Sequence, residues 1–355
     1  MSTLLAAQNR TRGLATAAPL HLLQTVKPVM PGIGLALAIA VAASLVGSFL
    51  PLVGAAVIAI VLGVVARQLI GLADRFAAGV RFSSRTILQM AIVLLGTGLS
   101  LKQVWTTGSS SLIVLLGTLI VGIPVMLAIG RLLGIDRTLV RLISVGTGIC
   151  GASAIGALAP ILAADDEVIA YAISTVFVFN ISAVLLFPPI GHLLGLSQYG
   201  FGLWAGTAVN DTSSVVAAGY AFGAAAGAYA VTVKLTRTVL IVPVSLIFAA
   251  VAARERRSAS RDAKYPVARV ALPVFLLWFL LASLLNTLGI FGKLGGNPFP
   301  SLGTFLIVVA LAGVGLSADM KAIARTGFRP IVLGATGWMI LATMSLLLQY
   351  LTGLR

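Results

Sequence analysis

Charge interrupts this chain so rarely that apolar runs set its whole layout. Seven stretches hold no Asp, Glu, Lys or Arg: 28–66, 103–130, 142–164, 168–210, 270–292, 294–318 and 330–354. A helix needs about 20 apolar residues to cross a bilayer. Each stretch can therefore hold one crossing, and 28–66 and 168–210 can hold two. Turn residues between the runs divide them into eleven expected helices. They fall near 30–49, 51–66, 86–101, 111–130, 142–163, 168–190, 200–222, 228–253, 270–290, 301–317 and 330–351.

Composition agrees with this layout. The 355 residues are 59% hydrophobic and 9% charged, with a mean hydropathy of +1.09, where a soluble domain carries about 25% charged residues. The expected fold class is an all-α polytopic membrane protein, with the lipid bilayer as its first partner. Residues 1–29 read as a cytoplasmic tail, because they lack an uncharged apolar core followed by a cleavage site. Residues 30–352 read as one transmembrane domain, with a cytoplasmic loop at 254–269.

The net charge of +15 would suggest nucleic acid for a soluble chain. Here its distribution reads instead as orientation. With the N-terminus inside, nineteen of the 24 basic residues fall on the cytoplasmic side. Lys102, Lys293 and Arg355 fall outside, and Lys234 and Arg237 fall within a span. The positive-inside rule then gives N-in, C-out in an inner membrane. On these spans Asp165, Asp166 and Glu167 lie outside, and His21 and His192 lie near the cytoplasmic face. No nucleic-acid partner is expected.

The chain also repeats itself. Gly96-Thr97-Gly98-Leu99-Ser100 closes the third expected helix and Gly313-Val314-Gly315-Leu316-Ser317 the tenth. Each is followed by a Thr-Gly pair, Thr107-Gly108 and Thr326-Gly327. The copies lie seven helices apart, an odd number, so they face opposite ways. Inverted repeats are common in secondary transporters.

Two segments carry the candidate chemistry. The first, GTGICG at 146–151, spells a dinucleotide fingerprint, but it lies in a run that must cross a bilayer. A βαβ unit would leave backbone groups unsatisfied there, which excludes the nucleotide loop. What remains is a helix interrupted near Gly146, Gly148 and Gly151, with Ser153 and Pro160 beyond. The alternative is that these glycines only permit close packing, with Cys150 as a small packing residue.

The second segment, 199–223, carries Thr207, Asn210, Asp211, Thr212, Ser213 and Ser214 at its midpoint. Asp211 is the only carboxylate between Val168 and Arg254, and a carboxylate at the bilayer centre is a functional candidate. The next helix carries Lys234 and Arg237 on one face. At 1.5 Å per residue Arg237 lies roughly 14 Å deep, level with Asp211, the GTGICG break and Asn180. A buried structural ion pair is the plainer alternative, although one acid and two bases leave positive charge over.

Together these segments resemble the YeiH-like family of proposed sulfate exporters over roughly 30–350. GTGICGASAIGALAP, the VVAAG after the polar centre, and VKLTRTVLIVP carry the likeness. The resemblance implies distant kinship with the sodium–proton antiporter and bile-acid symporter superfamily. It also implies a panel domain, a core domain with two crossing broken helices, and, since panel-type transporters are often dimers, a homodimer as a further partner. Many relatives place His before the acidic residue where this chain has Asn210-Asp211.

The reading is thus a carrier of a small anion, sulfate or an organosulfonate by resemblance, working by alternating access. Lys234 and Arg237 would supply positive charge, with Asn180 and Asn210 beside them. Backbone N–H groups of Gly146, Thr147, Gly148, Cys150 and Gly151, with Ser153, would supply donors, and Asp211 would couple transport to protons. An anion channel would share the basic site. An intramembrane metalloprotease would need H-E-x-x-H and an aspartyl type a second membrane carboxylate, and the sequence offers neither. No cofactor and no metal is expected.

Overall fold

The computed structural model describes residues 28–49, 54–71, 73–258, 274–291, 297–318 and 327–354. Most of the expected tail, most of the loop at 254–269, and Thr326 of the second repeat lie outside them. Every regular element among these residues is helical. In chain order they are α1 (Met30–Phe49), α2 (Gly54–Ile70), α3 (Asp74–Gly96), α4 (Leu101–Leu132), α5 (Arg137–Gly148), α6 (Ala152–Leu162) and α7 (Asp166–Leu193). There follow α8 (Gln198–Ala208), α9 (Thr212–Phe222), α10 (Ala224–Val239), α11 (Ile241–Ser258), α12 (Val274–Thr287), α13 (Phe299–Leu316) and α14 (Phe328–Thr352).

Two helices begin earlier than the apolar runs suggest. Ser100 and Gln103 form a capping box that starts α4 at Leu101, because each side chain satisfies a backbone N–H that the first turn leaves free. Helix α3 begins at Asp74 and so absorbs Arg75, Arg81 and Arg85 from the expected loop. It passes through a π turn at Ser83–Ile87.

The larger difference concerns 142–163 and 200–222, expected as single interrupted crossings. Both fold back on themselves. The Phe222 ring at the end of α9 stacks on Phe201 near the start of α8, with centroids 3.9 Å apart. It also stacks on His192, at 4.2 Å. Gln198 donates to the Phe222 carbonyl at 3.5 Å and accepts from Ala226 N–H at 3.0 Å. Helices α8 and α9 therefore enter and leave at one end of the bundle.

Helices α5 and α6 form the matching hairpin from the other end. Ile155 packs beside Gly146, where an added Cβ would meet its Cγ1 at 2.8 Å. Arg141, near the start of α5, pairs with Glu255 at the end of α11, and α6 packs along α11. Helix α7 then climbs the whole bundle beside α14, Thr175 and Phe179 facing Gly334 and Phe187 stacking with Trp338.

Nine helices thus run between the two ends among the described residues, counting α10 and α11 as one run. Seven of these are long and apolar enough to cross a membrane. Apolar length alone could not show this, because a hairpin of two short helices spends as many residues as one crossing. Two hairpins also cancel in the count, so Met30 and Thr352 keep opposite ends. The stretch between them is inverted. Asp165, Asp166 and Glu167 belong to the end that carries Arg131 and Arg137, and His192 belongs to the other.

The buried apolar residues group the helices into two bodies that share a packed seam. The first cluster is built mainly on α1, α2, α3, α12 and α13, and Val184 of α7, Val216, Ala217 and Ala221 of α9, and Val231 and Leu235 of α10 join it. The others lie on α4 to α11 and α14. Within the first, α3 and α13 are antiparallel neighbours. Gly98 approaches Pro300, Gly303 approaches Ala91, and Gly313 approaches Ser83. The two G-x-G-L-S segments therefore sit at opposite ends of one helix pair.

Candidate functional site

The hairpin tips meet in the middle of the second body. Gly151 has φ +65°, a conformation that L side chains rarely adopt and glycine adopts freely. A Cβ there would stand 3.3 Å from Asp211 Cβ on the other tip. The break is confined to Ile149, Cys150 and Gly151, since Gly146, Thr147 and Gly148 remain in α5. Their N–H groups are consumed by the helix, and two at the tip are spent as well. Ile149 N–H donates to Val145 and Gly151 N–H to Gly146, both at 2.9 Å. The expected row of free donors over 146–151 is therefore absent.

What the first arms leave free is carbonyls. A helix C-terminus exposes unpaired C=O groups and carries partial negative charge. Helix α10 brings Lys234 and Arg237, both fully buried, to these ends. Lys234 Nζ donates to Ile149 O at 2.7 Å, to Val209 O at 2.9 Å and to Asn210 O. Arg237 donates to Thr207 O at 2.5 Å and to Thr147 O at 3.4 Å. Each cation thus ties one hairpin to the other.

An ammonium has three protons to give, and Lys234 has placed all three. The positive charge that looked surplus in the sequence is taken up by helix ends. The reason is conformational, since the carbonyls exist as acceptors only where the chain folds back. Asn210 is buried beside them with its amide unpartnered, as are Thr147 Oγ1 and Arg237 Nε.

The second arms point their N-termini the other way, into a cavity of about 590 Å³ between the two bodies. Ala152 and Ser153 of α6, and Thr212 and Ser213 of α9, line it with Cys150, Asn180 and Asp211. Asp211 caps α9, its carboxylate accepting from Ser213 N–H at 2.9 Å and from the Ser213 hydroxyl. Asn180 Oδ1 accepts from Asp211 N–H at 3.0 Å. Of the expected site residues, Cys150, Ser153, Asn180 and Asp211 line the cavity. Gly146, Thr147, Gly148, Gly151, Asn210, Lys234 and Arg237 stand behind it, in and around the tips.

The facing wall includes Ser84, Arg85 and Gln89 of α3, Phe275 of α12 and Ser317 after α13. None of these was singled out as a site residue, and Ser84 and Arg85 least of all, because 67–85 read as a basic loop. The available signal was Ser83-Ser84-Arg85-Thr86, four polar residues embedded in an apolar helical run. Among the described residues, no three of His, Cys, Asp and Glu gather where they could hold a metal.

Two facing hairpins inside a bundle of membrane-length helices define a polytopic membrane protein, and its relatives are named as membrane proteins. The chain belongs to the family described as Conserved hypothetical protein 698, which matches residues 31–334. It is 39% identical to a UPF0324 membrane protein of Streptococcus agalactiae serotype V, over 92% of this chain and 98% of that one. A UPF0324 membrane protein of Clostridium tetani is 39% identical over 92% and 99% of the two chains. A third, from Streptococcus pyogenes serotype M18, is 40% identical over 92% and 98%. These matches bear out the YeiH-like resemblance.

Proposed function

We propose that this protein is a secondary active transporter of a small anion, working by alternating access. One observation carries the reading: two hairpins entering from opposite ends meet tip to tip beside a cavity that separates two helical bodies. Hairpins that stop halfway place helix ends at the membrane midplane, where carriers bind substrate. Irregular backbone is tolerated at that depth only where it is buried or lines a cavity. The antiparallel α3–α13 pair, with G-x-G-L-S at opposite ends, supports inverted repeats. The first body then corresponds to the panel and the second to the core.

The end bearing Arg131, Arg137 and Arg141 is taken as cytoplasmic by the positive-inside rule. This puts the N-terminus inside and the C-terminus outside a bacterial inner membrane. The cavity favours anions because two helix N-termini face it, each equivalent to about half a positive charge. Sulfate and organosulfonates are the first cargoes to test, on the family resemblance, with export as the direction. Lys234 and Arg237 act from behind the tips, holding the hairpins together, and Asp211 is the coupling group.

The test is counterflow in proteoliposomes, using sulfate, sulfite, taurine and chloride, with and without a pH gradient. Saturable counterflow of an anion is expected. Anion flux without counterflow would indicate a channel, and no anion flux of any kind would overturn the reading.

A further inference from the structure

We propose that Arg85 is the cationic ligand of the cargo, and that the cargo is an oxyanion gripped between the two bodies. The inference rests on the carrier reading above and adds the residue that selects the substrate. It starts from what Arg85 lacks. An arginine within a membrane-length helix is costly unless it meets a partner or water. Lys234 and Arg237, both fully buried, bind carbonyls, and Arg141 binds Glu255. Arg85 lies midway along α3, in the Asp74–Gly96 run, is exposed, and has no hydrogen-bond or ion-pair partner among the described residues. Arg81, one turn earlier, shares both properties, but of the two only Arg85 lines the cavity.

The backbone holds Arg85 at that wall by an unusual turn. Residues Ser83–Ile87 form a π turn, which fits one extra residue into the helix and swings the following face by about 100°. Gly313 of α13 packs on this turn, where an added Cβ would meet Ser83 Cβ at 2.9 Å and Ser84 N at 3.0 Å. Single π turns inside α-helices often mark functional sites. Here the turn places a guanidinium on the first body opposite Ser153, Thr212 and Ser213 on the second.

The chemistry of the walls selects the ligand class. Asp211 is the one carboxylate in the lining, and it is engaged by Ser213. A cationic cargo would face Arg85 and two positive helix ends. A neutral cargo would leave Arg85 unpaired. An anion satisfies all three. Arginine presents a planar fork that matches two oxygens of a sulfate or sulfonate group, which a halide does not offer. The hydroxyls of Ser84, Ser153, Thr212, Ser213 and Ser317 are placed to take the remaining oxygens. Because Arg85 belongs to one body and the hairpins to the other, the bound oxyanion spans the gap between them.

The experiment compares Arg85→Gln, Arg85→Lys and, as a control one turn away and outside the cavity lining, Arg81→Gln. Sulfate, taurine and chloride binding is measured by calorimetry on purified full-length protein in nanodiscs, and counterflow is measured on the same preparations. Arg85→Gln is expected to weaken sulfate binding at least tenfold. Arg85→Lys should lose most of the preference for sulfate over chloride, and Arg81→Gln should bind as the parent does. Unchanged sulfate affinity in a monodisperse Arg85→Gln protein overturns the inference. If that variant does not fold, an unchanged sulfate-to-chloride ratio in Arg85→Lys overturns it equally. The two readings fail separately. A parent that binds sulfate through Arg85 but shows no counterflow removes the carrier reading alone, and a parent with counterflow that Arg85→Gln leaves intact removes Arg85 alone.

Discussion

Phe222 lies flat on Phe201, their ring centroids 3.9 Å apart and their planes within 5°. In one interrupted helix these residues would sit at opposite ends, about 30 Å apart at 1.5 Å per residue. The stack therefore fixes the chain's path through the bundle, and that path can be checked directly. In a Cys150→Ala background, Ala164→Cys should react with impermeant thiol reagents from the side that carries Arg137. Leu196→Cys should react from the side that carries Lys102. The reverse pattern would mean that α5–α6 and α8–α9 cross the membrane after all.

Much of the fold was legible in the sequence, and the part that was not has a definite physical cause. Apolar length and charge-free runs place nearly every helix, and the two interruptions fall where glycine and polar residues cluster. Direction after an interruption is another matter. It depends on Gly151 taking a positive φ and on which neighbours receive the second arm, and hydropathy contains neither. Charge counting could not help, because the stretch inverted by the hairpins, 163–223, contains no Lys or Arg. For the same reason Asp211 and Asn180 were found from their polarity. The carbonyl partners of Lys234 were not legible, because they come from three residues remote in sequence. Arg85 was missed because a charged residue near other charges reads as loop until the helix is seen to continue through it.

Lys234 should prove structural before it proves anything else. Its Nζ satisfies carbonyls from both hairpins, and leaving buried acceptors unpaired costs about 1–3 kcal/mol each. Lys234→Met should therefore lower the melting temperature in detergent sharply, with loss of yield. Arg237→Lys should be milder, because a charge remains near the same helix ends while the fork joining Thr207 to Thr147 is lost. Equal stability of Lys234→Met and the parent would show that the clamp contributes nothing to the fold.

Gly151→Ala tests the meeting of the tips. Alanine at φ +65° costs about 1–3 kcal/mol in backbone strain, and its Cβ would press within 3.3 Å of Asp211 Cβ. Gly156→Ala is the matched control, since a Cβ there meets nothing within 4 Å and alanine favours helix by up to about 1 kcal/mol. Melting should fall for the first variant and hold or rise for the second. Equal melting in both would mean the tips tolerate separation.

The coupling role proposed for Asp211 can be tested through the charge of the cavity. Lys234 of α10 and Cys150 on the opposite tip lie within electrostatic reach of it, Asn180 and Ser213 hydrogen-bond to it, and Arg85 of α3 lines the same cavity. The charges of Lys234 and Arg237 are matched to carbonyl ends, so the charged residues that line the cavity are Arg85 and Asp211. Their formal charges sum to zero with the carboxylate ionised and to +1 with it protonated. A divalent oxyanion should then bind more tightly wherever a lower pH adds a proton to the cavity, by at most about tenfold per pH unit, the limit for one linked proton. Asp211→Asn keeps an oxygen to accept the Ser213 N–H while holding the wall at +1. It should bind sulfate with an affinity independent of pH, retain counterflow, and lose uptake driven by a pH gradient. Calorimetry from pH 5 to pH 8 on both proteins decides the matter: sulfate affinity that rises with pH in the parent, or an Asp211→Asn variant that keeps the parent's pH dependence, would remove Asp211 from the coupling role.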